Sequence, residues 1–97
     1  MRKFPNNNEG FIIGKQLLKS ATSIGANVGE AVGAFTKYDF TYKMNLALNE
    51  ARETNYWIRL VRDSKMINID IESYIYSSEE LWKILIAIGK RSREKLY

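Results

Sequence analysis

The chain has no cysteine and no histidine in 97 residues, and only one proline. Without cysteine there is no disulfide framework and no thiolate nucleophile, and the expected setting is cytoplasmic. Without histidine there is no imidazole base, no Ser–His arrangement and no His-based metal site. Ser20, Thr22 and Ser23 therefore have no general base to activate them. Glu30, Glu50 and Glu53 lack the Glu-x-x-His partners with which helical bundles hold di-metal centres. The expectation is no catalytic residue, no cofactor and no metal, hence not an enzyme, and no small-molecule substrate is evident. Long apolar runs are missing too. The longest, Ile84–Ile88, is far short of the roughly 18–20 residues that cross a bilayer, so no membrane partner is expected. The start, Met1 to Asn6, is basic but has no signal-peptide hydrophobic stretch.

What is present fits one globular domain over residues 1–97, with 45% hydrophobic and 27% charged residues. Fifteen Lys+Arg against eleven Asp+Glu give net +4, a mild basic bias of the kind that polyanion binders carry.

Three stretches repeat apolar residues in steps of four and three, which predicts helices over about 10–34, 37–65 and 70–95. The first line is Leu17, Ala21, Ile24, Val28, Ala31 and Phe35. The second is Phe40, Met44, Ala47, Ala51, Thr54, Ile58 and Val61. The third is Ile71, Tyr74, Ser78, Leu81, Leu85, Ile88, Ser92 and Leu96. One seam per helix predicts an all-α, up-and-down bundle of three long antiparallel helices. Thr36 with Asp39 reads as a capping box and Asp70 as a further N-cap, while Gly10 and Gly33 flank the first helix. Gly25 and Gly29 lie inside it at a cost of about 1 kcal/mol each, so close packing or a bend is expected there. Three rods of about 40 Å leave a thin core with one flank open, which predicts self-association.

The run Ser23-Ile24-Gly25-Ala26-Asn27-Val28-Gly29-Glu30-Ala31 follows Phe4-Pro5. On the second helix stand Asp39-Phe40, Leu46-Ala47-Leu48-Asn49-Glu50-Ala51-Arg52-Glu53-Thr54 and Tyr56-Trp57-Ile58-Arg59-Leu60. Together these resemble the signature of the four-helix-bundle proteins encoded in intervening sequences of bacterial 23S ribosomal RNA genes, from Phe4 to about Lys90. Members of that family usually carry a further helix before the Phe-Pro element. The resemblance thus implies a member lacking most or all of its first helix. Gly29 departs from the family's usual Arg- or Ala-like residue. The resemblance implies a homo-oligomer, with a pentamer expected, and no established activity. It also implies a fold similar to the accessory variability protein of diversity-generating retroelements, a basic pentameric barrel that binds nucleic acid.

Two sets of residues stand out as candidates. Arg52, Arg59 and Arg62 are spaced by seven and three on the second helix with Tyr38, Tyr42 and Tyr56 among them, and Lys90, Arg91, Arg93 and Lys95 end the third. Cations neutralise phosphates and exposed tyrosines stack on unpaired bases, so Arg52, Arg59, Arg62, Lys90, Arg91 and Arg93 are the candidate RNA or DNA contacts. The plainer reading is a solvated face of mixed charge. Ser23, Asn27, Glu30, Asn49 and Glu50, with Arg52, are read as a structural motif fixing register between the first two helices. Acid gathers from Met66 to Trp82 and base from Lys83 onward, as the helix dipole favours. The leading expectation is a non-enzymatic oligomeric module that contacts RNA or DNA. The alternative is a protein-interaction or assembly module whose partner supplies the absent helix.

Overall fold

A computed structural model describes residues 7–65 and 70–96, with side chains described as far as Glu94. Phe4-Pro5, Met66 and the side chains of Lys95 and Leu96 lie outside the described set. Three helices make up the fold: α1 (Asn8–Val32), α2 (Lys37–Ser64) and α3 (Ile71–Leu96), with no strand among the described residues. No described helix is long and apolar enough to cross a membrane.

The ends are set by local chemistry. Asn7 caps α1, its Oδ1 accepting from the Gly10 amide at 2.7 Å, a cap that the sequence reading missed by starting at Gly10. Thr36 caps α2 as expected, its Oγ1 accepting from the Asp39 amide at 3.0 Å. Gly33 closes α1 with φ of −86°, so its freedom to adopt left-handed backbone is not used. The left-handed residue is Lys65, at φ 56°, which ends α2.

Both outer helices pack on α2, and they do not meet each other: among the described residues no Cα of α1 lies within 8 Å of one in α3. The principal extents are 48 × 20 × 14 Å. All three helices contribute to one buried cluster, Ile24, Ala31, Met44, Ala47, Ala51 and Leu85, with Val28, Phe40 and Leu48 packed against it. α1 and α3 therefore lean to the same side of α2, and the molecule is a shallow trough with this cluster as its floor. The open flank expected from the sequence is the mouth of the trough.

The seam on α2 is as read, with Met44, Ala47, Ala51, Thr54 and Val61 buried and Phe40 and Ile58 half-buried. Two seams need correction. Phe35 is fully exposed, at 101%, because α1 ends at Val32 and leaves it in the turn, and Ala21 is exposed as well. On α3, Tyr74, Leu81 and Ile88 are exposed, and the covered line is Ile75, Ser78, Trp82, Leu85, Gly89 and Ser92. α3 has only α2 to pack against, so it buries the stripe facing α2 and leaves its trough side bare.

The two seams differ in chemistry. Between α1 and α2 the Ser20 hydroxyl donates to the Leu17 carbonyl at 3.1 Å. The buried Thr54 hydroxyl lies 3.0 Å from Ser20 Oγ and 2.9 Å from the Glu50 carbonyl. Between α2 and α3 a ladder of polar pairs runs the length of the contact. It comprises Thr41 with Ser92, Asn45 with Arg93, Asn55 with Ser78, Arg59 with Glu79 and Arg62 with Glu72. From Thr41 and Asn45 through Asn55 and Arg59 to Arg62, the α3 partners step from 92 and 93 through 78 and 79 to 72, and each pairing is specific to one register.

Candidate nucleic-acid interface

On the convex side of the trough, α2 turns outward a stripe without an aliphatic residue: Tyr38, Tyr42, Asn45, Asn49, Arg52, Tyr56 and Arg59, in steps of four and three. That spacing keeps all seven on one face over about 32 Å. Tyr38, Tyr42 and Tyr56 are 70%, 54% and 58% exposed. Beside it α3 lays a second stripe in the same rhythm, Glu79, Lys83, Ile86, Lys90 and Arg93. Two contacts lock the stripes together. Arg59 pairs with Glu79 at one end, and Arg93 donates to Asn45 Oδ1 at 3.1 Å at the other. The joint face carries Arg52, Arg59, Lys83, Lys90 and Arg93, of which Arg59 is paired with Glu79 and Lys83 with Glu80 at 3.6 Å.

The six candidate cations divide. Arg52, Lys90 and Arg93 gather on this face, and among the described residues none of them has a carboxylate partner. Arg52 sits 5.8 Å from the centre of the Trp82 ring with its charge still exposed. Arg59 lies on the face, but Glu79 neutralises it while its Nε donates to Asn55 at 2.8 Å. Arg62 is engaged at the far end by Asp63 at 3.0 Å and Glu72 at 3.4 Å, and those carboxylates hold its proton more tightly than usual. Arg91 points elsewhere. With Lys37 it borders a cavity of about 270 Å³ between the start of α2 and the end of α3, lined also by Phe40, Ile88 and Ser92.

The structural-motif residues also divide. Glu30 crosses to α2 and pairs with Lys43 at 2.8 Å, which raises the lysine above its ordinary value. Asn27 donates to the Ser23 carbonyl at 2.9 Å within α1, and Asn49 stands in the exposed tyrosine stripe. Glu50 lines a cavity of about 90 Å³ with Gln16, Lys19, Ser20 and Glu53. Burial first, then the hydrogen bond to Glu53 and its charge, push the Glu50 carboxyl above its ordinary value, against the pull of Lys19. Of the set, Glu30 alone makes an ion pair or hydrogen bond across to the other helix among the described contacts, while Glu50 meets α1 only across the small cavity and through the charge of Lys19.

Asn45 and Lys83 are members of the face that the sequence reading passed over, and Asn49, expected to fix register against α1, stands exposed on this face instead. The signal was available, since a 4-3 repeat of Tyr, Asn and Arg runs beside the apolar repeat on α2. Among the described residues no group of three or more metal-ligating side chains comes together. An elongated basic face studded with tyrosines can neutralise phosphates along a strand and stack on bases that are not paired.

Comparison with known proteins agrees on the family. The family model described as 23S rRNA-intervening sequence protein matches residues 1–87. A crystal structure from Bacteroides thetaiotaomicron, at 1.70 Å resolution, is described as a protein of unknown function from the S23 ribosomal protein family. It is 44% identical to this chain with a TM-score of 0.79, covering 88% of this chain and 80% of that one. No curated protein matches. The chain belongs to the 23S rRNA-intervening sequence protein family.

Proposed function

We propose that this chain is a non-enzymatic, self-associating helical-bundle protein, antiparallel and of the four-helix-bundle type, that binds single-stranded segments of RNA or DNA on its convex face. The observation that carries the reading is the shared face of Tyr38, Tyr42 and Tyr56 with Arg52, Lys90 and Arg93. Exposed tyrosines favour unpaired bases, because a duplex buries its base faces, and stacking contributes about 1–3 kcal/mol per base. The cations supply affinity without sequence preference. Self-association would repeat the face in every copy and turn a modest charge into an extended track.

The test is a titration of a fluorescent uridine-rich single strand and of duplex DNA, at low and at physiological salt, with the wild type and with Tyr38→Ala/Tyr42→Ala/Tyr56→Ala. The reading expects micromolar binding of the single strand, weaker duplex binding and at least a tenfold loss in the triple variant. Equal affinity for both nucleic acids, or no loss in the variant, overturns it. A second reading, an assembly module without nucleic-acid binding, is favoured by the apolar residues left bare on the trough side, Leu18, Val32, Leu81, Ile84 and Ile88. It predicts no binding to either probe.

A further inference from the structure

At the end of the trough where α2 begins and α3 closes, the floor dips into the cavity bordered by Lys37, Phe40, Ile88, Arg91 and Ser92. Phe40 packs against the core cluster on one side and lines the cavity on the other, and Ile88 is 37% exposed. Along α1 the rim is open by contrast. Nothing lies within 4 Å of where a Cβ would stand at Gly25 or Gly29, so neither glycine serves the close packing within the chain that was expected from the sequence.

The polar groups around this apolar cleft carry one sign. The Thr41 hydroxyl donates to the Lys37 carbonyl at 2.9 Å, so in its pairing with Ser92 it accepts, and the Ser92 proton is spent on Thr41. That leaves the Lys37 and Arg91 side chains as the donors in the lining. Among the described residues neither has a carboxylate within ion-pair distance, and no carboxylate lines the cavity. Asp39 projects about 200° round the helix from Lys37. The start of α2 adds to the same sign. Thr36 takes the Asp39 and Phe40 amides, whereas the Lys37 and Tyr38 amides have no acceptor within the helix and stand at the positive end of its dipole.

Size and lining narrow what such a cleft accepts. An apolar cavity of about 150 Å³ takes benzene. At about 270 Å³ this one has room for two fused rings. A flat ring system lies well against Phe40 and Ile88. A nucleobase is a poor occupant, because the polar edge turned away from Lys37 and Arg91 would meet only carbon. A hydrocarbon ring system loses nothing there. One carboxylate at its edge satisfies both cations, and its two oxygens match the fork of the Arg91 guanidinium.

We propose that this cavity binds small aromatic monocarboxylates, with the ring system against Phe40 and Ile88 and the carboxylate held between Lys37 and Arg91. The site shares no residue with the convex face, so it stands or falls apart from the nucleic-acid reading.

The probe is naphthoate, titrated into the full chain beside its neutral analogue naphthylmethanol and followed by saturation-transfer NMR and by the shifts of Phe40 and Ile88. The ordinary yield per heavy atom puts a ligand of this size near a Kd of about 1 mM. Naphthoate should reach that affinity or better, shift Phe40 and Ile88, and bind at least tenfold more tightly than the alcohol. Lys37→Ala/Arg91→Ala should weaken naphthoate at least tenfold and erase its advantage over the alcohol. Ile88→Trp should fill the cavity and abolish binding with helical circular dichroism unchanged. Equal affinity for the two probes, full affinity in either variant, or no binding at about 5 mM naphthoate overturns the proposal. So does an affinity that falls as the protein is concentrated, since the cavity then belongs to a contact between copies.

Discussion

The two sides of α2 share one period and carry opposite chemistry. Toward the trough stand Phe40, Met44, Ala47, Ala51, Ile58 and Val61; away from it stand Tyr38, Tyr42, Asn49, Arg52 and Tyr56. On this helix the apolar stripe is buried and the polar stripe is exposed, as amphipathic patterning predicts. The trough walls break that correspondence. α1 turns Leu18 and Val32 and α3 turns Leu81 and Ile88 toward the opening, and all four are exposed. An apolar stripe therefore shows which face seeks a neighbour; whether it is buried depends on a neighbour being there. The convex face has the composition of a surface that meets a charged, aromatic ligand, and the concave rim that of a surface that meets protein.

That contrast can be broken at graded strength. The trough floor should be the most sensitive place. Leu85→Ala empties a site that is 3% exposed and should cost about 2–5 kcal/mol in urea-induced unfolding. Next comes the polar link under the floor. Thr54→Val leaves Ser20 facing a methyl group and should cost about 1–3 kcal/mol, with part of the loss recovered in Ser20→Ala/Thr54→Val, because both polar partners are then gone.

Glu50 sharpens the comparison through pH. Its folded carboxyl is pushed above the ordinary value by burial and by Glu53. A raised carboxyl contributes stability below its unfolded value, and that contribution is lost as pH rises through the folded value. Glu50→Gln should thus raise the melting temperature near neutral pH, and the difference should close as the solution is acidified below the ordinary carboxylate range. On the convex face, Tyr42→Ala should change stability least, by less than about 0.5 kcal/mol, while single-strand affinity falls by about 1–3 kcal/mol. A convex substitution that unfolds the chain would show that the face is structural.

Much of this fold was readable because the helices are long and strongly periodic. The α2 seam and the Thr36 cap follow from spacing and hydroxyl chemistry alone. The α3 seam did not, because Tyr74, Leu81 and Ile88 keep the apolar rhythm as well as the covered line does, and only the position of α2 separates them. The register contacts were sought between α1 and α2. Most lie between α2 and α3, where Thr41, Asn55, Ser78 and Ser92 are short polar residues with no sequence mark of their partners. For the site, spacing placed Arg52 among the tyrosines. It could not reveal that Glu79 and Glu72 occupy Arg59 and Arg62, or that Arg91 lines the cavity at the start of α2 with Lys37.

The central claim is that the convex face holds nucleic acid and the concave rim does not. Its most direct test is the affinity of a single-stranded RNA of about eight nucleotides, short enough to span one copy, for two variants measured side by side across a salt series. Arg52→Ala/Lys90→Ala/Arg93→Ala should bind at least tenfold more weakly, with a log–log salt slope shallower by about 2, since each lost phosphate contact removes about 0.7. Leu18→Glu should bind as the wild type does. Full affinity in the cationic variant together with a loss in Leu18→Glu would contradict the account.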